Sequence, residues 1–377
     1  MMKFLKNMAI YKKLINFVCA ILGLNHQFFR RRSLLKLNYK VEISKKTTTL
    51  SKNFYKKIIN ILNQSDDISD SSLWSVIYNT YHKKFLDTAK NDVAKLESIL
   101  DNPSKYNIFY GFDNNCEVLL NRPRYIDRFE NNIFIIDKIL NLAEFLGILR
   151  HNNPEQFRLK FKKPDLDFII EEIEKKLCIE LKFDCVFPGE EGIKTKKGII
   201  SNREIQAIYQ AYKIKKIFNK NNYNNILEIG GGLGRTAYYC NKFGIKNYTI
   251  VDLLIPRICQ LNYLSRVINE RDIISEKEII KLINYENKIK IISPDYLFNN
   301  KISFDLVFNS DSLTEIDDEN QKKYVNLIKE STKYFYSINH ESNKNKVADL
   351  FSNIKTKYYD KNLYWMRKGY LEEHFLF

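Results

Sequence analysis

The feature that most constrains this chain is the string Glu228-Ile229-Gly230-Gly231-Gly232-Leu233-Gly234, set between an apolar run and a helical pattern. Asn225–Ile229 reads as a short buried strand and Thr236–Phe243 as a helix. Glycines at 230, 232 and 234 let the backbone turn sharply and approach a ligand closely. Free amides at the start of the following helix favour a negatively charged group there. Asp252 stands 20 residues beyond Gly232, at the end of the next strand, where an acid can accept hydrogen bonds from ribose hydroxyls.

Beyond the loop the chain alternates. Strands are expected at Tyr248–Val251, Ile289–Ile292, Leu306–Asn309 and Tyr334–Ile338, with helices at Pro256–Val267 and Asp318–Ser331. One or two terminal strands are expected around Gly369, in Lys355–Phe377. This pattern specifies an α/β fold, a Rossmann-like, mostly parallel sheet with helices on both faces. Ligands bind such sheets outside the carboxyl ends of the strands. Those ends are polar here. Asp295 follows the third strand, where it either meets an adenine or serves as a turn acid. The fourth strand runs into Asn309-Ser310-Asp311-Ser312-Leu313-Thr314-Glu315, and the fifth into Asn339-His340-Glu341.

A dinucleotide-binding loop follows G-x-G-x-x-G. Counted from Gly230 the last position is the bulky Arg235, and counted from Gly232 it is Ala237, so an NAD(P)-dependent enzyme stays open as an alternative. Glu228, two residues ahead of the glycines, instead favours a loop for S-adenosylmethionine.

Upstream, residues 61–200 read as mostly helical. Leu73, Ile77, Tyr81, Phe85, Ala89, Val93, Leu96 and Leu100 form one helical stripe, with Ser71 or Ser72 as N-cap and Asn102-Pro103 as the stop. Further helices are expected near Ile133–Leu149 and Leu166–Leu177. Glycines 189, 192 and 198 mark a loop, and Ser201-Asn202-Arg203-Glu204 is a capping box opening a helix that carries Tyr209 inward. The chain thus divides into a basic arm at 1–60, a helical region at 61–200 that covers an acceptor site or forms a homo-oligomer surface, and a cofactor-binding domain at 201–377.

The net charge is +16, and the arm holds fourteen Lys or Arg residues against one acid, Glu42. A nucleic-acid enzyme carries its basic face on the catalytic domain. Nucleic acid is therefore disfavoured as a partner, and neither Asn-Pro-Pro-Tyr, Asp-Pro-Pro-Tyr nor a Pro-Cys pair occurs. The apolar run Phe17–Leu24 has eight residues, whereas a membrane span needs ~20. A basic helix on the inner face of an anionic membrane and one packed on its own protein both fit the arm. The six cysteines form no CxxC pair and no histidine sits near one at ligand spacing. No metal site is expected from that pattern, and reduced thiols suit a cytoplasmic protein.

Taken together, these residues resemble a bacterial family of sugar O-methyltransferases within the class I S-adenosylmethionine-dependent fold. The likeness covers roughly Gly192 to Asn339. It rests on the glycine string, on Asp252-Leu253 with Pro256, Gln260, Tyr263 and Leu264, on Asn309 with Ser312 and Glu315, and on Asn339. The sequence departs from the family where Leu254-Ile255 separate Asp252-Leu253 from Pro256, and where Ile316 replaces the usual Met. The resemblance implies methyl transfer from S-adenosylmethionine to a hydroxyl of a nucleotide-linked sugar or surface glycan. On this reading Glu228, Gly230, Gly231, Gly232, Gly234, Asp252, Leu253, Asp295 and Asn309 hold the cofactor. Ser312, Asn339, Tyr209 and Arg203 face the acceptor, and His340, Glu315 or Asp311 supplies a base. Methylation of nucleic acid or another small molecule, and a catalytically inactive membrane-associated scaffold, are the remaining alternatives.

Overall fold

The computed structural model describes residues 41–45, 50–62, 64, 72–113, 115–116, 124–150, 165–280 and 286–377. Most of the basic arm, including Phe17–Leu24, lies outside the described residues. No helix among those described is long and apolar enough to cross a membrane.

Three short strands, β1 (Val41–Ile43), β2 (Glu191–Thr195) and β3 (Gly198–Ile200), pair antiparallel. Eight more build the main sheet: β4 (Ile226–Ile229), β5 (Tyr248–Val251), β6 (Ile273–Ser275), β7 (Ile289–Ile292), β8 (Phe304–Ser310), β9 (Thr332–His340), β10 (Tyr358–Leu363) and β11 (Tyr370–Leu376). Their spatial order is β10-β11-β9-β8-β4-β5-β7-β6. β11 runs antiparallel to both neighbours, and the other pairings are parallel. From β4 the chain winds outward through β5, then returns to β8 on the other side. The order reverses between β4 and β8, and a crevice opens outside their carboxyl ends.

The central strands read as continuous apolar runs because both faces are covered. Every residue of β4, β5 and β7 is buried. Period-two alternation still sorts the side chains. Leu306, Phe308, Tyr336 and Ile338 join the core on one face, while Leu227, Ile229, Val307 and Phe335 join that on the other.

The described helices are α1 (Lys52–Leu62), α2 (Leu73–Ile77), α3 (Lys83–Asn91), α4 (Val93–Asp101), α5 (Arg124–Phe145), α6 (Leu166–Leu177), α7 (Asn202–Asn221), α8 (Arg235–Lys242), α9 (Leu254–Val267), α10 (Pro294–Asn299) and α11 (Asp318–Ser331), besides shorter turns. Five of the first six, α1 and α3 to α6, share one core cluster with the sheet: Phe54, Phe85, Leu96, Ile139 and Ile170 belong with Tyr239, Phe308 and Tyr336. Consequently α9 is buried on all sides from Leu254 to Leu264. Its polar residues cap the helix that covers it. Asn262 Nδ2 and Arg266 Nη2 donate to the Leu100 carbonyl at 2.8 and 3.3 Å, satisfying an orphan acceptor at the end of α4.

Three expectations are corrected, and one strand, β6, was not expected. The stripe from Leu73 to Leu100 is not one helix. It passes through a wider π turn at Tyr78–His82 and breaks at Asp92, whose carboxylate accepts from the Lys95 amide at 2.9 Å and so caps a new helix. The glycine-marked loop at 189–198 is the hairpin β2–β3, where Gly198 lets the backbone lie against the Phe183 carbonyl. β6, only three residues long, shows no periodicity of its own. Asp295 sits not in a turn but in the first turn of α10, behind the Ser293 cap.

Candidate active site

The crevice holds a cavity of about 230 Å³ lined by the carboxyl ends of β4, β5, β7 and β8, by α7, and by residues of the upstream region. Its floor is the glycine loop. β4 ends at Ile229, and Gly230 turns the chain with φ +72°. A Cβ on Gly230 would overlap the Ser312 hydroxyl from the β8 side, so only glycine lets the two strand ends meet. Gly232 is different: it also has positive φ, but nothing within 3.9 Å would touch a Cβ there, so the loop presents bare backbone to the cavity. Glu228 lies beneath the loop, buried, accepting from the Tyr248 hydroxyl at 3.0 Å. Burial pushes its carboxyl up to about 8, so it is neutral at pH 7.

The second wall comes from β5 and β7. Asp252 and Leu253 line it with Pro256, Asp295 and Phe298. Asp252 is locked in place: Oδ1 accepts from the Leu253 amide at 2.9 Å, and Oδ2 from Gln260 Nε2 at 2.7 Å. Gln260 Nε2 also donates to the Gly232 carbonyl at 3.1 Å, which couples the acid to the loop. An acid held beside an open glycine backbone at a switch point suits a ligand with vicinal hydroxyls.

The third wall is the polar string after β8. Asp311 takes the left-handed conformation, φ 61°, with its amide donating to the Ile338 carbonyl at 2.9 Å. Its carboxylate accepts from Arg367 Nη1 at 3.0 Å and the Tyr370 hydroxyl at 2.9 Å, both at the β10–β11 hairpin. Glu315 lines the cavity one turn later. Burial first, then the Asp311 carboxylate, push Glu315 up to about 7, against the pull of Arg203 and Arg367. A half-buried carboxyl poised near neutrality can take a proton from a hydroxyl.

The sequence-predicted residues separate into two sets. Gly230, Gly231, Gly232, Glu228, Asp252, Leu253, Asp295, Arg203, Asp311, Ser312 and Glu315 line the cavity. Gly234 lies just behind, as the positive-φ cap of α8. Asn309, Asn339, Tyr209 and His340 do not form its wall, which corrects their assignment. Asn309 is fully buried, donating to the Ile229 carbonyl at 2.8 Å and to Ser312, and accepting from Asn339 Nδ2 at 2.8 Å. These two asparagines pin β4, β8 and β9 together. Tyr209 donates to Glu372 on β11 at 2.5 Å, deep in the core. His340 Nδ1 accepts from the Ser342 amide at 3.2 Å. A backbone amide can only donate, so the neutral ring carries its proton on Nε2, the nitrogen 3.8 Å from Asp311. His340 thus stands beside Asp311 beyond hydrogen-bond reach, with its Nδ1 lone pair taken by Ser342. Asp311, Glu315 and His340 do converge, with one ligand atom of each within 4.8 Å of the others. Within that group the Asp311 carboxylate is already bonded to Arg367 and Tyr370.

Several wall residues had no signal in the sequence. Trp74, Gly111 and Phe112 come from the upstream region. Arg235 pairs with Asp113 and lies over the Tyr263 ring at 5.3 Å, while Ala237 is buried in the core behind the loop. Gln210 on α7 bridges Ser310 at 3.0 Å and Thr236 at 2.8 Å.

No family model matches the sequence, and no curated protein does. Among solved structures, the methyltransferase domain of bacterial CtHen1-CN is similar over 45% of this chain and 97% of that one, at 9% identity and TM-score 0.32. The magnesium protoporphyrin IX methyltransferase of Synechocystis PCC 6803, solved with bound SAM, is similar over 46% of this chain and 83% of its own, at 9% identity and TM-score 0.29.

Proposed function

We propose that the chain is an S-adenosylmethionine-dependent O-methyltransferase acting on a sugar hydroxyl. One observation carries the reading: a locked acid beside a bare glycine loop, Asp252 and Gly232, shares a cavity with Glu315, a carboxyl held near neutrality. The sugar as acceptor rests on the resemblance of the Asn309, Ser312 and Glu315 string. The residues fit the cofactor. Gly232 would leave room for it, and Asp252 and Asp295, both in the cavity wall, would hold its ribose and base. When bound, S-adenosylmethionine supplies an activated methyl group that leaves its sulfur with the electron pair. The protein's task is alignment of the acceptor oxygen with that methyl. Glu315 takes the hydroxyl proton as the oxygen attacks, worth ~10²–10⁴ in rate. Asp311, fixed by Arg367 and Tyr370, raises the basicity of Glu315 without itself contacting the proton.

Calorimetric titration with S-adenosylhomocysteine tests the cofactor. Binding is expected, with Asp252→Ala weakening it ~10–100-fold, as loss of hydrogen bonds to a charged group predicts. Transfer of labelled methyl to a panel of sugar nucleotides and glycans tests the acceptor. A protein that binds no S-adenosylhomocysteine, or an Asp252→Ala variant of undiminished affinity, would sink the reading.

A further inference from the structure

Three basic side chains gather at the acceptor end of the cavity. Arg203, on the first turn of α7, and Arg367, at the β10–β11 hairpin, both line it. Lys138 on α5 lies behind them, buried, its ammonium donating to the Asn202 side chain next to Arg203. Asp311 pairs with Arg367 at 3.0 Å, but Arg203 makes no hydrogen bond or ion pair with any described residue. The half-buried guanidinium faces the cavity with Glu315 as the acid in its field, and that acid is itself pushed up to about 7 by burial. Burial, then the two guanidiniums, hold the Lys138 ammonium well below its usual range. Like charges held together in a partly dry pocket repel, and the repulsion is relieved when an oxyanion enters between them. The opposite end of the cavity is furnished differently, with Asp252 and Asp295 and no unpaired cation in its wall.

We propose that the acceptor carries an oxyanion, a phosphate or carboxylate close to the reacting hydroxyl, and that Arg203 and Arg367 grip it. Guanidinium forks match both anions with paired hydrogen bonds. The anion docks beside Glu315, so its grip also fixes the hydroxyl at the base. This deepens the reading above and rests on it. The competing source of the same chemistry is the cofactor's own carboxylate.

The test titrates protein saturated with S-adenosylhomocysteine with inorganic pyrophosphate, glucuronate or glucose. One or both anions are expected to bind and glucose not, pyrophosphate pointing to a phosphorylated acceptor and glucuronate to a carboxylated one. Arg203→Gln should weaken the anion at least tenfold and leave S-adenosylhomocysteine affinity within twofold, which also reports an intact fold. Arg203→Lys, retaining charge and stem, should lose less; it gives the same readout if the glutamine variant fails to fold. The proposal is overturned if neither anion binds the saturated protein, or if either variant loses S-adenosylhomocysteine tenfold, which would assign Arg203 to the cofactor. Absence of S-adenosylhomocysteine binding to the unmodified chain would instead overturn the methyltransferase reading, and the acceptor site with it.

Discussion

Glu315 and His340 sit in neighbouring positions with opposite aptitudes, and the difference lies in which atoms are already occupied. Glu315 is pushed up to about 7 and faces the cavity. His340 has Nδ1 filled by the Ser342 amide, so its proton is on Nε2. A base must start deprotonated, so turnover should rise with pH up to about 7 and then level. Glu315→Gln should lower kcat by ~10²–10⁴ and abolish that rising limb, with little change in cofactor affinity. His340→Ala should cost less than the glutamate change, since its Nδ1 is already bonded to Ser342. Rates measured on an accepted sugar across pH decide between them; equal losses would return the histidine to the role of base. At Gly230 the constraint is steric. Alanine there must hold φ +72° and displace the Ser312 hydroxyl, so Gly230→Ala should lower stability by ~1–3 kcal/mol in a urea melt.

Among elements, the contact that ties the upstream region to the loop is Arg235 with Asp113. Arg235 opens α8, directly after the glycine string, while Asp113 follows the segment that gives Gly111 and Phe112 to the cavity. Two more buried carboxyls, Glu190 and Glu204, lie in the same field. Arg235→Met would leave these acids without their cation, and breaking a buried pair costs ~3–5 kcal/mol. A urea melt should show that loss, with proteolysis opening first between residues 72 and 113; cleavage confined to the sheet would contradict the clasp. This pair also marks where the sequence stopped being legible. The strands β4, β5, β7, β8 and β9 were readable because burial on both faces makes each an apolar run between turns. The glycine loop and Asp252 were readable because they are local. Arg235 appeared only as an obstacle to a dinucleotide, since its partner is over a hundred residues away. Arg367 and Tyr370 reach Asp311 through the pairing of β11 with β9, which no local pattern encodes. Asn309 and Asn339 were legible as special positions, but polarity at a strand end does not say whether a side chain faces the cavity or the next strand.

At the scale of the molecule, one core serves both the upstream helices and the sheet, and it buries acids that titrate near neutrality. Glu190 and Glu315 are pushed up to about 7, Glu204 and Glu228 to about 8, each chiefly by burial. A carboxyl raised in the folded state still holds its proton where the unfolded chain, ionising near 4.3, has released it. The folded state then binds more protons, and stability falls as pH rises through that window. His82, lowered to about 4 by burial, works in the opposite sense but only below about 6.5. Lys138 and Lys290, both held below their usual range by burial, also oppose the trend. Between pH 6.5 and 8 the four raised carboxyls outnumber the lowered lysines, and the urea midpoint should fall across it. Glu228→Gln removes one of the four while keeping an acceptor for the Tyr248 hydroxyl, so its midpoint should fall less steeply over the same interval. A midpoint that stayed level or rose from pH 6.5 to 8 in the unmodified chain would mean that these acids are ionised in the folded state, and Glu315 could then no longer be assigned a proton-dependent step near neutrality.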